Sequence, residues 1–169
     1  VYDPYGHIGT PATRGLYRPI GINRNCQLAV LQIRPYVDEQ HRALQWIALG
    51  SNAFNALVPF FTQVDEVPAY VSSTPKDVTT DSFYWANRLI GAMADASYSA
   101  CLPHVERYQE KLQYEATRLV HACDAEGGDP AAANQAIADV ARKRTDCLLG
   151  HVLFTRSAEM KNGFSRSDN

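Results

Sequence analysis

The sequence lacks most of the short signatures from which chemistry can be read at once. No GxSxG elbow is present, which removes the strand-turn-helix arrangement of the serine hydrolases. The five histidines, His7, His41, His104, His121 and His151, form neither an HExxH nor a His-x-His pair. His121 and Cys123 stand two apart on a predicted helix and so point to different faces, and no metal or cofactor is expected. The cysteines, Cys26, Cys101, Cys123 and Cys147, contain no CxxC; a chain of this size needs no disulfide framework, so four free thiols and a reducing, cytoplasmic setting are expected. An excess of charge is missing too. Sixteen basic against eighteen acidic side chains leave a formal charge of -2, too little to gather nucleic acid or an anionic membrane. No apolar run approaches the roughly 20 residues that cross a bilayer.

What is present is enough hydrophobic material, 46% of 169 residues, for a sizeable core. The opening Val1-Tyr2-Asp3-Pro4 has no initiator Met, which predicts an upstream segment and makes 1–169 a single incomplete domain. The class predicted is α+β, with a change of character near Ser72: residues 1–71 form an irregular lead and a β-hairpin, 72–155 a helical portion, and 156–169 a polar tail.

Residues 1–25 are dense in Gly and Pro and break any long element. Gln27–Arg34 and Arg42–Leu49 read as two strands, joined by the polar "PYVDEQH". Leu28 and Val30 oppose Ala29, Leu31 and Ile33, while Leu44, Trp46 and Ala48 oppose Ala43, Ile47 and Leu49; apolar residues on both faces predict a sheet covered on each side. "AFNALVPFF" continues as an irregular or extended segment, and 62–80 as a loop. Thr79, Thr80 and Asp81 offer caps for a helix over 81–95, with Trp85, Leu89 and Met93 at four-residue spacing and Phe83, Ala86 and Ile90 on the same broad side. A second helix is predicted over 103–125 on the stripe Val105, Tyr108, Leu112, Ala116, Leu119 and Cys123. Gly127-Gly128 ends it, and Asp129-Pro130 starts a third on Ala133, Ile137, Val140 or Ala141, Leu148 and Val152.

Few side chains invite a chemical role. Cys26 enters the first strand, but no His or carboxylate is placed by sequence to activate it, and a small buried residue is the expectation. Asp38-Glu39 and Asp65-Glu66 lie in polar loops, and Glu106, Glu110 and Glu115 with Arg107, Lys111 and Arg118 mark the wet face of a helix. Arg18, in "GLYRPIG", and Arg34, at the end of a covered strand, must pair with a carboxylate: an internal one for structure, or that of a substrate. Ser51, Asn52 and Asn55 follow the second strand at a Gly turn, where their side chains either stabilise the turn or, for the two amides, donate an N–H to a developing oxyanion.

Through these residues the sequence resembles the cysteine dipeptidases of the N-terminal nucleophile hydrolase superfamily. The phrases that carry the likeness are "YRPIG" at 17–21, "LQIRP" at 31–35, "WIALG" at 46–50, "NALVPFF" at 55–61 and "SFYWANRLI" at 82–90. The resemblance implies a four-layer αββα fold, of which this chain is the C-terminal part with a hairpin and three helices. It also implies hydrolysis of dipeptides by an amino-terminal cysteine exposed by processing. Neither Val1 nor the internal Cys26 fits that role, so the nucleophile is expected from the remainder of the precursor, and the fragment alone is expected to be inactive. A small peptide is the implied substrate, with homo-oligomerisation a further option. A related cysteine amidohydrolase, or a non-catalytic interaction or structural module, are the alternatives that composition leaves open.

Overall fold

The computed structural model describes residues 25–160. Three strands form one antiparallel sheet in the order β1-β2-β3: β1 Gln27–Ile33, β2 Ala43–Leu49 and β3 Val58–Phe61. β1 and β2 pair from Gln27 opposite Leu49 to Ile33 opposite Ala43. The segment "AFNALVPFF", read as irregular or extended, supplies the third strand. Phe61 lies opposite Leu44 and Pro59 opposite Trp46. Pro59 has no N–H to give to a ladder, and it is tolerated because β3 stands at the sheet's edge.

Four helices follow: the single turn α1, Ala69–Ser72, inside the predicted loop, then α2 Phe83–Ala94, α3 Tyr98–Glu126 and α4 Pro130–Ala158. α2 is capped by Ser82, whose hydroxyl accepts from the Trp85 N–H, rather than by Thr79, Thr80 or Asp81. Asp81 instead meets Arg142 of α4 at 2.7 Å. The predicted start of the second helix at Pro103 is also corrected. Pro103 lies inside α3, where it removes one i−4 hydrogen bond, and a 3-10 turn over Asp95–Ser97 carries the chain from α2 into α3. Gly127 then closes α3 in the left-handed conformation at φ 60°, and Asp129 caps α4 by accepting from Ala131 and Ala132, with Pro130 in the first turn.

The apolar stripes of α3 and α4 meet in a common core. Val105, Leu112 and Ala116 are fully buried against Ile137, Ala141 and Val152; each fully buried Leu, Ile or Val contributes about 1.5–3 kcal/mol relative to exposure. Val120 rather than Leu119 continues the α3 stripe, and Ala141 rather than Val140 that of α4. In α2 the buried side is Phe83, Ala86, Asn87 and Ile90, which leaves Trp85, Leu89 and Met93 on its half-buried flank. No described helix is long and apolar enough to cross a membrane.

The sheet is covered less fully than its sequence predicts. Leu44 and Ala48 are buried, while Ile47 and Leu49 on the opposite face are half-buried. β1 is open: Leu31 is 74% exposed and Ile33 66%, with Leu28 and Val30 also exposed. Among the described residues β1 is an outer strand of the sheet, with apolar side chains exposed on both faces. None of the four cysteines is in a disulfide; Cys101 and Cys123 are buried, but Cys26 and Cys147 are exposed, which corrects the expectation of a buried residue at Cys26.

Candidate functional site at the Gly50 end of the sheet

Gly50 ends β2 with φ at 88°, a backbone state that favours glycine, and a β-carbon there would come within 2.9 Å of the Asn87 Cβ. This close approach seats the following turn on α2. A β-carbon on Gly91 would meet the Phe54 ring and the Ser51 hydroxyl, each at 3.4 Å, so Gly91 makes room for the same turn from the helix side. The Gly50 N–H bonds the Cys26 carbonyl at 2.9 Å, which ties the turn to the first residues of the sheet.

Side-chain amides fix the turn further. Asn55, buried, donates Nδ2 to the Gly50 carbonyl at 3.1 Å. Gln109 of α3 donates to the Asn55 carbonyl at 2.7 Å and to that of Ala53 at 3.4 Å. Asn52, Asn55, Gln109 and Gln113 then line, with Leu28, Ala56 and Leu57, one cavity of about 250 Å³. Four primary amides and no charged group offer both donors and acceptors, the complement of a neutral peptide unit. Gln113 also borders a wider groove of about 920 Å³ along α3, lined by Trp46, Glu110, Tyr114, Thr117, Arg118 and His121. At the same end of the sheet the Tyr84 phenol is held above its ordinary range, by burial first and then by a hydrogen bond with Cys26.

The structure brings Ser51, Asn52 and Asn55 together and adds Gln109 and Gln113, which the sequence reading missed. Nothing in the sequence distinguishes these two glutamines from other polar residues of an amphipathic helix; only the packing of α3 over the turn selects them. Arg34 is placed elsewhere. It follows β1 at the opposite end, roughly 20 Å away along a seven-residue strand. Its buried guanidinium meets both carboxylate oxygens of Asp124, at 2.5 and 3.1 Å, and donates to the His41 carbonyl. Of the two expectations for Arg34 the geometry displays an internal ion pair. Arg18 lies outside the described residues. Among the described residues no group of three His, Cys, Asp or Glu is placed to hold a metal ion.

Comparison with known proteins gives the site its context. The model of "Peptidase family C69" matches residues 1–111. The chain is similar to a dipeptidase of Bifidobacterium longum (strain NCC 2705), at 43% identity over 99% of this chain and 40% of the relative. It is 44% identical to a probable dipeptidase A of Streptococcus pyogenes serotype M3 (strain SSI-1), over 99% of this chain and 37% of the relative. Dipeptidase A of Lactobacillus helveticus is 33% identical over 90% of this chain and 34% of its own length. The chain therefore spans about two fifths of the length of the curated relatives it matches.

Proposed function

The chain belongs to peptidase family C69, and from that premise we propose that it is the C-terminal part of a dipeptidase whose nucleophile is an amino-terminal cysteine lying outside these 169 residues. The observation that carries the reading is the identity of 43–44% along 99% of the chain with a dipeptidase and a probable dipeptidase, of which the match covers 40% and 37%. In the reaction the cysteine thiol attacks the carbonyl of the dipeptide's peptide bond while the cysteine's own α-amine accepts the thiol proton. The leaving amine departs protonated, and water releases the acyl group from the thioester, regenerating the thiol.

The part assigned to this chain is support of the cleft. The amides of Asn52 and Asn55 are the donors nearest in character to an oxyanion hole, and Ser51 lies in the same turn; donors fixed in advance lower the barrier because they do not reorganise as charge develops. Gln109 fixes that turn through two carbonyls. Arg18 is the candidate partner for the substrate carboxylate, and Arg34 fastens the opposite end of the sheet. The open edge and faces of β1 are the seat of the remainder of the precursor, which completes a four-layer αββα fold.

The test is hydrolysis of unblocked dipeptides by the full-length protein and by residues 1–169. The full-length protein is expected to cleave them and to lose activity to a thiol-alkylating reagent, and the fragment to show none. Dipeptide hydrolysis that survives alkylation of every accessible thiol, or that the fragment performs alone, overturns the reading.

A further inference from the structure

On the face of the α3–α4 hairpin, a second concave site gathers charge that its neighbours do not balance. His104, Arg107 and Lys111 recur at three and four residues along α3, and Arg144, Cys147 and His151 do so along α4, so each set forms one stripe. The two stripes meet around a cavity of about 50 Å³ floored by Tyr108 and Leu148, both buried. The rings of His104 and His151 stack across it, with centroids 5.0 Å apart and planes within 8°. Arg144 is held in place by Glu115, its Nε donating at 2.9 Å.

Charge is what sets this cavity apart. Arg107, Lys111 and Arg144 bring three cations to the lining, and the carboxylate nearest them is that of Glu115, which Arg144 binds and on which Lys111 also acts. Neither Arg107 nor Lys111 has an ion-pair partner among the described residues. They stand four apart on one helix, where like charges repel unless an anion lies between them. Lys143, which also acts on Glu115, adds a further positive charge beside the groove. A cavity of about 50 Å³ has room for a small polyatomic anion, since about 10–15 Å³ on this measure already holds a water.

We propose that this groove is a binding site for a small multivalent oxyanion of the phosphate type, held by Arg107 and Lys111 from one helix with His104 and His151 lining the same groove. Binding to these exposed cations weakens with salt. The source is either free phosphate or the phosphoryl group of a larger molecule.

The experiment is titration of the full-length protein with inorganic phosphate at constant pH and at constant ionic strength made up with potassium chloride. Histidine-selective NMR labels report His104 and His151. Saturable binding is expected, with the signals of both imidazoles shifting as the site fills. The R107Q/K111Q double variant is expected to bind at least tenfold more weakly with an unchanged Tm in the absence of phosphate, since both side chains are exposed. A phosphate monoester run in parallel assigns the source: tighter binding of the ester supports a phosphoryl group on a larger ligand, and equal or weaker binding supports free phosphate. Absence of saturation, an effect that chloride reproduces at equal ionic strength, or equal binding by the double variant overturns the proposal. Dipeptide hydrolysis plays no part in the readout, so the two readings stand or fall separately.

Discussion

Asn134 of α4 takes the place of a neighbouring strand for Phe61: its Oδ1 accepts from the Phe61 N–H at 2.9 Å and its Nδ2 donates to the Phe61 carbonyl at 3.0 Å. Both residues are buried, so no water stands in for these bonds. β3 is only four residues long and would otherwise leave these backbone groups unsatisfied in the core. One side chain thus joins the sheet to the helical layer.

Truncation at this position orphans a donor and an acceptor together. Each costs about 1–3 kcal/mol when buried, so Asn134→Ala is expected to lower stability by roughly 3 kcal/mol in urea denaturation. Asn134→Asp keeps an acceptor for the N–H but places a second acceptor against the Phe61 carbonyl, and should be no better than Ala at neutral pH. A loss below about 0.5 kcal/mol for both variants would show that β3 finds other partners.

The clamp at the other end of the sheet makes a different prediction. Arg34 and Asp124 are 90 residues apart, with side chains 5% and 16% exposed, so the hairpin turn is fastened to the end of α3. His41 adds a bond from its Nε2 to the Gly128 carbonyl at 2.8 Å. Removing one member of a buried pair costs about 3–5 kcal/mol because the other charge is stranded, whereas replacing both with apolar groups is close to neutral. Asp124→Ala is expected to be strongly destabilising and Arg34→Met/Asp124→Leu to recover most of the loss. A double-mutant cycle with no coupling would remove the clamp from the account of stability.

Much of this frame was legible in the sequence because its cues are local. The Asp129-Pro130 cap, the Gly127 stop and the three- and four-residue stripes of α3 and α4 each depend on residues within a few turns, and each stands where the pattern placed it, apart from shifts of one residue in the stripes. The pairing of Val58–Phe61 was not legible, because a Pro argues against a strand and only the free edge of β2 reverses that argument. Tyr98–Leu102 was lost to the same residue type: Pro103 looks like a helix start, and the turn before it is held by tertiary contact. In the candidate site, Ser51, Asn52 and Asn55 could be picked out by their Gly turn, but Gln109 and Gln113 lie more than 50 residues further on and meet the turn only through packing. Arg34 was recognisable as a cation needing a partner; that the partner is Asp124 is a long-range fact.

Alkaline pH should expose a weakness in the helical core. Burial pushes the Tyr70 phenol up from 10 to about 12, and burial also raises Tyr108, whose hydroxyl lies 3.1 Å from that of Thr145. A phenol that keeps its proton in the folded state but loses it near 10 when unfolded stabilises the fold fully below pH 10. That contribution is lost as the pH rises from 10 toward 12. The expected outcome is a falling denaturation midpoint across this window, shallower in Tyr70→Phe than in the parent. Parallel curves for the two proteins would mean that Tyr70 titrates alike in both states.

Gly50 provides the sharpest connection between local backbone and the proposed activity. A side chain there is opposed twice: φ at 88° is costly for any L-residue with a β-carbon, and that carbon would meet Asn87 Cβ at 2.9 Å and its backbone carbonyl carbon at 3.2 Å. Neither neighbour is the end of a flexible chain, so the turn must move. Asn55 is bonded to the Gly50 carbonyl and Gln109 to the next links of the same turn, and the displacement therefore reaches both of these amides. Gly50→Ala is expected to cost about 2–3 kcal/mol of stability and, in the full-length protein, to reduce kcat for dipeptide hydrolysis by at least tenfold at temperatures where the variant remains folded. Gly127→Ala is the control: it shares the left-handed backbone but meets nothing within 4 Å, so it should lose about 1 kcal/mol and keep its kcat. If both variants lose kcat equally, the loss reports stability alone and the turn at Gly50 has no special claim on the reaction.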